Sequence, residues 1–222
     1  MTQPHTLPPR AGKMRAADLA YNAIESMIST LQLEPGSPVV EAELAEKIEL
    51  GRTPVREALL RMVSIGLIEQ QPRRGLLVSN IDLADHLDVI QTRRVLEQLI
   101  AQCSARRATA AQRRDIVLRA EKMIVAAERG QLDAYMAADH ELDLVNHAAC
   151  QNASAVTAVT PLIVKCRRFW YAYQHEGDIA EGARAHMALA QAIATGDEQA
   201  AASGAAQLMD YLEQFARKII DQ

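Results

Sequence analysis

The stretch GRTPVREALLRM, residues 51–62, limits the possible folds of this chain more than any other part of the sequence. Gly51 stands in a capping position and Pro54 in the first helical turn, where the missing N–H of proline costs nothing. Apolar residues then recur at helical spacing and form one stripe: Val55, Ala58, Leu59 and Met62. The stretch therefore predicts an amphipathic helix with one buried face.

The polar side of this helix carries Arg52 and Thr53 at its N-terminal end, Arg56 one turn later and Arg61 beyond. A helix that buries one face and presents Arg and Thr from its first turns fits the major groove of DNA, where Arg bonds bidentately to guanine O6 and N7. Arginine spacing alone is more typical of a solvated amphipathic helix. The flanking sequence therefore has to distinguish the two interpretations.

The sequence on both sides of this helix favours DNA binding. Residues 41–48 predict a short helix, and the turn 49–51 gives the spacing of a helix-turn-helix. Residues 66–71 and 75–78 predict two short strands with a basic tip, Pro72-Arg73-Arg74-Gly75, between them. Helix, turn, helix and basic hairpin in this order form a winged helix.

This part of the chain resembles the N-terminal domain of the GntR family of bacterial transcription regulators. The run 52–59 and the tip 72–75 carry the resemblance. It implies operator contacts from Arg52, Thr53 and Arg56 on the helix and from Arg74 and Gly75 at the wing tip, and we expect Arg73 beside them to contact phosphates. Two positions depart from the family pattern: Glu49 replaces the usual turn glycine, and Ala42 stands where some members carry a DNA-contacting Arg.

Length and composition agree with a helical protein of two modest domains. The chain has 222 residues, of which 49% are hydrophobic and only 4% aromatic, which is typical of a mostly helical protein. The formal net charge of −4 argues against a protein that coats nucleic acid indiscriminately. Between Arg52 and Arg74, however, arginines outnumber acidic residues, so the positive field is local, as expected for a protein that reads one short site.

Cysteine spacing and hydropathy indicate the compartment. Cys103, Cys150 and Cys166 show no CxxC spacing, so the sequence predicts free thiols in a reducing cytoplasm rather than disulfides or a zinc site. Residues 1–14 are rich in proline and polar residues, lack the apolar core of a signal peptide and predict a mobile tail. No run of about twenty apolar residues occurs, so we expect no membrane span and a cytoplasmic location.

Beyond the winged helix, predicted over residues 15–80 with a first helix at 16–31, the pattern becomes entirely helical. Residues 81–222 contain no credible strand. Helical periodicity recurs in segments separated by breaks such as Gly130 and Gly177: 82–107, 111–128, 132–150, 154–175, 182–194 and 198–220. The predicted fold class is therefore mainly α, a winged helix-turn-helix followed by an antiparallel helical bundle.

The second half is similar to the FCD class of GntR effector-binding domains. The segments that carry the resemblance are 93–97, 139–143, 185–186 and 192–197, together with Asn152. The resemblance implies that this half dimerises, binds a small organic effector and holds a divalent metal by one Asp and three His. Those four positions fall on Asp139, Asp143, His186 and Leu208, so one His is replaced by Asp and another by an apolar residue.

The two aspartates and Arg93 are the expected core of the effector pocket, with His186 beside them. Asp139 and Asp143, at i and i+4, share one face of a helix. In apolar surroundings two carboxylates need a cation, a proton or an Arg between them, because like charges do not both ionise cheaply there. The alternative is that both are solvated on the outer face of the bundle. Arg93 is the candidate to bind an anionic group of the effector bidentately.

The predicted metal set Asp139, Asp143 and His186 is harder and more negative than one Asp with three His. It favours Mn²⁺ or Mg²⁺ over zinc or nickel, and we expect a metal to be held weakly or not at all. Without a metal, the acidic pair repels a carboxylate effector. The pocket then favours a cationic or neutral ligand, or else His186 is protonated between the two acids.

These features predict a homodimeric transcription regulator, not an enzyme, that binds a pseudo-palindromic operator on double-stranded DNA and responds to a small-molecule effector. One alternative is a helical-bundle metal-dependent hydrolase that uses the Asp pair and His186, although no nucleophile or general-base arrangement supports it. Another is an effector-blind architectural DNA binder whose helical half only dimerises, which Leu208 favours. Repression and activation both stay open.

Overall fold

The computed structural model describes residues 15–176 and 179–221. The predicted tail, residues 1–14, and the predicted break at Gly177 lie outside the described residues. The chain forms two compact units. The first ends at Ser79 and the second begins at Asn80, except that Ser29–Leu31 group with the second unit.

The first unit combines helices with a three-stranded antiparallel sheet. Its elements in chain order are α1 (Ala16–Ser29), β1 (Pro38–Val39), α2 (Glu41–Lys47), α3 (Arg52–Ser64), β2 (Ile68–Gln71) and β3 (Gly75–Val78). The strand order is β1-β3-β2, and Ile68 lies opposite Val78 in the β2–β3 hairpin. This is the predicted winged helix, in which the hairpin is the wing.

Strand β1 is the element of this unit that the sequence did not predict. It consists of Pro38 and Val39, which lie opposite Leu77 and Leu76 of β3. Two residues are too few to show an alternating pattern, and the strand forms because β3 offers a free edge to pair with.

The second unit is built from helices, and no strand occurs among its described residues. The helices are α4 (Leu83–Arg107), α5 (Ala110–Glu128), α6 (Leu132–Cys150), α7 (Ala153–Tyr173), α8 (Ile179–Thr195) and α9 (Glu198–Ile220), and a 3₁₀ turn, Gln174–Glu176, follows α7. Every helix predicted for this half is present, and the predicted mainly α fold class is confirmed. Helix α8 begins at Ile179 rather than at residue 182, and the predicted end of α7 is taken by the 3₁₀ turn.

Local capping explains where these helices begin. The Asp82 carboxylate accepts hydrogen bonds from the first backbone amides of α4, and Asp197 does the same for α9. Thr109 and Gln112 form a reciprocal capping box at the start of α5. Helix α6 ends at Cys150, because the next residue, Gln151, has a φ of 50° in the left-handed region, and Asn152 then caps α7.

The core of the second unit is apolar and closely packed. Phe169 of α7 is buried and stacks on His86 of α4, with ring centroids 3.7 Å apart. At the α8–α9 crossing, a Cβ on Gly204 would lie 3.0 Å from the Cα of Leu189, so glycine allows the two helices to approach closely here. The three cysteines are free and buried. None of the helices in the described ranges has the length and apolar character needed to cross a membrane.

Candidate DNA-binding surface and effector pocket

Helix α3 is held by one buried face and leaves its N-terminal polar residues exposed. The buried residues are the predicted stripe: Val55, Ala58, Leu59 and Met62. Gly51 caps the helix in an extended conformation, and Arg52 and Thr53 follow it, both exposed. Within the described residues, the Arg52 side chain makes no hydrogen bond or ion pair. It is therefore available to an outside partner.

Arg56, one turn further along α3, is fixed by Glu41 of α2. Its Nε donates to Glu41 Oε2 at 3.1 Å, and its Nη2 lies 3.0 Å from Oε1. This pair uses one fork of the guanidinium and leaves the fork formed by Nη1 and Nη2 for a second bidentate contact. Glu41 therefore orients Arg56 without using up its donors.

Arg61 serves the first unit internally, although the sequence placed it on the polar side of the helix. Its Nη1 donates to Asp18 of α1 at 2.8 Å, and its guanidinium lies 4.4 Å from the ring centre of Tyr21. Burial, with a contribution from Glu25, raises the pKa of Tyr21 to about 12. Arg61 thus ties α3 to α1 and is not a free DNA contact.

The tip of the wing is a tight turn with two exposed arginines. Gln71 and Gly75 face each other across the hairpin, and the amide of Arg74 donates to the Gln71 carbonyl at 3.2 Å. Arg73 and Gly75 both adopt positive φ, at 66° and 78°, which glycine tolerates without strain. The side chains of Arg73 and Arg74 point to solvent.

In the second unit, two aspartates of α6 converge on one arginine of α7. Arg167 Nε donates to Asp139 Oδ2 at 2.6 Å, and its Nη2 donates to Asp143 Oδ2 at 2.7 Å. The Arg167 side chain is only 7% exposed, and Asp143 is buried. The alternative that both aspartates are solvated on the outer face is therefore wrong. From the sequence, a cation, a proton or an arginine could have stood between the two carboxylates. The structure places an arginine, Arg167, there.

His186 of α8 joins the same group, which we call the Arg167 cluster (Asp139, Asp143, Arg167 and His186). Its Nε2 lies 3.1 Å from Asp139 Oδ1, and its Nδ1 lies 2.7 Å from the Gly182 carbonyl oxygen. Burial disfavours the charged imidazole, but the bonds to Asp139 and Gly182 outweigh burial and raise the pKa of His186. Burial likewise opposes ionisation of Asp139, yet Arg167 and His186 hold the pKa of this carboxyl well below its usual range.

Arg93 of α4, the predicted effector anchor, is buried and already paired. Its Nε donates to Glu97 Oε1 at 2.9 Å within the same helix. Burial favours the neutral form, but Glu97 outweighs burial and raises the pKa of Arg93. The neighbouring Arg94 has a different role, because it bonds to Asp210 and Glu213 and so ties α4 to α9.

A small cavity of about 40 Å³ lies where these groups meet. Polar residues of its lining include Arg93, Asp139, Arg167 and His186, and the aromatic residues are Tyr135, Trp170 and Tyr211. Trp170 Nε1 donates to the Tyr211 hydroxyl at 3.0 Å, so the aromatic residues of this wall also pack the bundle. The structure thus brings Arg93 and the Arg167 cluster to one place.

Gly182 of α8 lies against two tyrosines of the cavity lining. A Cβ at this position would lie 2.8 Å from the Tyr135 hydroxyl and 3.0 Å from the Tyr211 hydroxyl. The first contact is closer than real Cβ atoms show and the second is tight, so a side chain here would displace the Tyr135 hydroxyl.

Arg167 is the residue of the site that the sequence analysis did not identify. It lies 24 residues from Asp143 in the chain, and its pairing depends on how α6 and α7 pack. A signal was nevertheless present, because buried residues of α7 recur at helical spacing and Arg167 falls among them: Val159, Ile163, Cys166 and Trp170.

The Arg167 cluster does not fit a divalent metal. Asp139 Oδ2 and Asp143 Oδ2 accept hydrogen bonds from Arg167, whose guanidinium lies between the proposed ligands. Leu208, at the remaining ligand position, is buried in the apolar core. Over the described ranges, no group of three His, Cys, Asp or Glu side chains is arranged to hold a metal ion.

The fold and these two sites define a winged-helix protein with an all-helical second domain around a polar cavity. Residues 16–78 match the family described as bacterial regulatory proteins of the gntR family, and residues 88–211 match the FCD domain. The chain therefore belongs to the GntR family, in the group with an FCD domain.

Similar proteins agree with this assignment. The HTH-type transcriptional repressor RspR of Escherichia coli (strain K12) is 31% identical over 136 residues, or 60% of this chain and 59% of RspR. The HTH-type transcriptional regulator McbR of the same organism is 27% identical over 128 residues, 56% of this chain and 58% of McbR. The chain thus matches about three fifths of the length of these relatives. Family and relatives are transcription regulators, which excludes the hydrolase alternative and confirms the prediction of a non-enzyme.

Solved structures share the fold at low sequence identity. E. coli McbR/YncC has a TM-score of 0.81 at 18% identity and covers 94% of this chain and 100% of its own. A GntR transcriptional regulator from Rhodococcus sp. RHA1 has a TM-score of 0.64 at 16% identity, covering 92% of this chain and 97% of its own.

Proposed function

We propose that this protein is a transcription regulator that acts in the cytoplasm as a homodimer, binds a pseudo-palindromic DNA operator and responds to a small organic effector. One observation carries the proposal: α3 buries its apolar stripe and exposes Arg52 and Thr53 in its first turn. A helix end of this kind reaches base edges in the major groove.

The proposed DNA contacts divide into two groups. Arg52, Thr53 and Arg56 contact bases, with Arg56 using the guanidinium fork that Glu41 leaves free. The wing tip contacts the backbone, since Arg73, Arg74 and Gly75 are exposed on a turn that projects from the sheet.

The proposed effector site is the cavity lined by Arg93 and by three members of the Arg167 cluster, Asp139, Arg167 and His186. A volume of about 40 Å³ is far below the roughly 300–1,000 Å³ of most ligand pockets. An effector must therefore shift the protein towards a state with a larger cavity. We propose that this state also differs in operator affinity, so that the effector changes the fraction of molecules that bind the operator. Arg167 offsets the charge of Asp139 and Asp143, and Arg93 also lines the cavity, so a ligand with an anionic group is compatible with its charges.

The proposed dimer contact lies on α4. Val95 is 69% exposed and Leu99 is 41% exposed, and the two lie one turn apart on the same side of the helix. Apolar side chains that recur on one exposed face are typical of an interface with a second copy.

Selection of operators from a pool of random DNA duplexes tests the proposed function. The full chain should enrich sequences with two related half-sites, and the double variant Arg52→Ala/Arg56→Ala should enrich none. Enrichment of single half-sites would contradict the dimer, and no enrichment by the wild type would contradict operator binding itself.

The effector-blind DNA binder stays as a second candidate, because the cavity is small and Leu208 fills one of the ligand positions of the family. A screen of amines, polyols and organic acids for shifts in melting temperature separates the two. A compound that raises the melting temperature and changes operator affinity supports the effector-responsive regulator. If no compound does either at millimolar concentration, the screen supports the effector-blind DNA binder.

A further inference from the structure

The geometry of the Arg167 cluster reproduces the charge arrangement of a metal site without a metal. Two carboxylates from α6 bond to the guanidinium from α7, and an imidazole from α8 bonds to one of these carboxylates. Asp139 bridges the group, since its Oδ2 accepts from Arg167 and its Oδ1 lies 3.1 Å from His186.

The buried aspartates require a positive charge. An isolated carboxylate in a protein interior is strongly destabilised, and two adjacent ones more so. Arg167 supplies one full charge and two short hydrogen bonds, at 2.6 and 2.7 Å, to different carboxylates. His140 adds a contact on the remaining nitrogen, at 3.4 Å from Arg167 Nη1.

Arginine and a divalent ion exclude each other at this position. A metal would have to bind the carboxylate oxygens that now accept hydrogen bonds from Arg167. Bringing the ion in would also leave a buried guanidinium without its acceptors, which is strongly unfavourable in a protein interior.

We propose that Arg167 is a built-in substitute for the metal ion of FCD-type sites and that it keeps the Arg167 cluster metal-independent. The chemistry of the cluster then depends on a covalently attached cation of fixed charge. Without that cation Asp139 and Asp143 lose their counter-charge, and we expect their side chains and that of His186 to re-orient around a metal ion. The consequence for effector choice rests on the proposed function, but metal binding itself does not.

The test compares metal binding by the full-length wild type, Arg167→Gln and Arg167→Lys. The probes are Zn²⁺, Ni²⁺ and Mn²⁺ alone, and the readouts are elemental analysis after dialysis and the melting temperature with metal or with EDTA. Wild type and Arg167→Lys should retain no metal and show no metal-dependent melting. Arg167→Gln should melt lower in EDTA, be stabilised by metal and bind it at least about a hundredfold more tightly than the wild type.

Arg94→Gln is the matched control. Arg94 is also held by two carboxylates, those of Asp210 and Glu213, but on an exposed surface and without a histidine in the pair. Its removal should create no metal site. The double variant Arg167→Gln/Asp139→Asn should lose the metal response gained by Arg167→Gln.

Three outcomes overturn the proposal: one metal per chain in dialysed wild type, no metal-dependent stabilisation of Arg167→Gln, or an equal gain in Arg94→Gln. If Arg167→Gln does not fold in EDTA, its refolding with each metal, followed by circular dichroism, replaces the melting experiment. Recovery of helix then supports the proposal, and failure with every metal overturns it. Neither result depends on DNA binding, so this experiment can contradict the proposed role of Arg167 without contradicting the proposed function.

Discussion

Glu49 adopts a left-handed backbone conformation, with a φ of 54°, in the turn between α2 and α3. This conformation costs a residue with a Cβ about 1 kcal/mol or more, whereas glycine enters it freely. The sequence had marked this position as one where the family usually has glycine, and the backbone supplies the physical reason.

We expect Glu49→Gly to raise the free energy of unfolding of the first unit by about 0.5–1 kcal/mol, because it relieves the strain at positive φ. Glu46→Gly is the control, since Glu46 lies inside α2, where glycine costs about 1 kcal/mol. Urea unfolding of both variants gives the comparison. Destabilisation by Glu49→Gly would mean that its side chain makes a contact worth more than the strain.

His86 provides a second prediction at this scale, because it is buried in α4 against Phe169. Burial, helped by Arg93 and Lys165 and opposed by Asp85, lowers the pKa of His86 to about 4. In the unfolded chain the pKa is about 6.5, so between these values the unfolded state binds the proton and the folded state does not. The contribution of His86 to stability is complete above about pH 6.5 and is lost as the pH falls towards 4.

His86→Phe keeps a ring against Phe169 but removes this titration. We expect the wild type to lose on the order of 2 kcal/mol more stability than His86→Phe between pH 7 and pH 5. Urea unfolding at both pH values measures the difference, and His175→Gln, at an exposed histidine, should behave like the wild type. Parallel losses in His86→Phe and wild type would show that His86 is protonated in the folded protein.

At the scale of elements, we propose different roles for α3 and the wing in DNA binding. The buried stripe of α3 fixes the direction of the helix, and Glu41 fixes Arg56 on it. The wing is a hairpin of two short strands, and the residues of its charged tip are all exposed. We therefore expect base selectivity to depend on α3 and general DNA affinity to depend on the wing.

Arg52→Ala should cost roughly 1–3 kcal/mol on a selected operator and much less on a duplex with one altered base pair. Arg73→Ala should weaken binding to both duplexes alike and reduce the slope of log affinity against log salt by about one. Fluorescence anisotropy titrations at several salt concentrations give both quantities. Arg129→Ala, which removes an exposed arginine of the second unit, controls for net charge. Equal losses on both duplexes for Arg52→Ala would eliminate its role in base selection.

The sequence predicted correctly those elements whose bounds are set by residues within the same segment, and missed those that depend on distant contacts. The bounds of α6 and α9 were predicted as the structure has them, because periodicity and caps such as Asp197 lie within the segments themselves. Strand β1 and the Arg167 pairing were not predicted, since both exist only through contact with an element distant in sequence. The inward-facing aspartates could be predicted from spacing, but the identity of their cation required the packing of α6 on α7.

At the scale of the whole molecule, the proposed binding to an operator with two half-sites requires two copies of the chain, because each copy contributes one winged helix. Val95 and Leu99 mark the proposed dimer face on α4. We expect Val95→Asp to be monomeric in sedimentation experiments and to bind the operator at least about tenfold more weakly, because the two half-sites are then bound independently.

Leu118→Asp is the matched control for this surface, since Leu118 is a comparably exposed apolar residue, at 48%, on α5. It should stay dimeric. A dimeric Val95→Asp together with a monomeric Leu118→Asp would move the interface to α5, and a monomeric wild type would contradict the homodimer altogether.

The Arg167 guanidinium also affects how the protein should respond to the metal supply of the cell. A cation that is part of the polypeptide is made with every chain and cannot be removed by chelators or exchanged for a competing ion. The fraction of molecules able to bind the operator should therefore depend on the concentration of the proposed effector. It should not change when the cell is short of trace metals or has an excess of them.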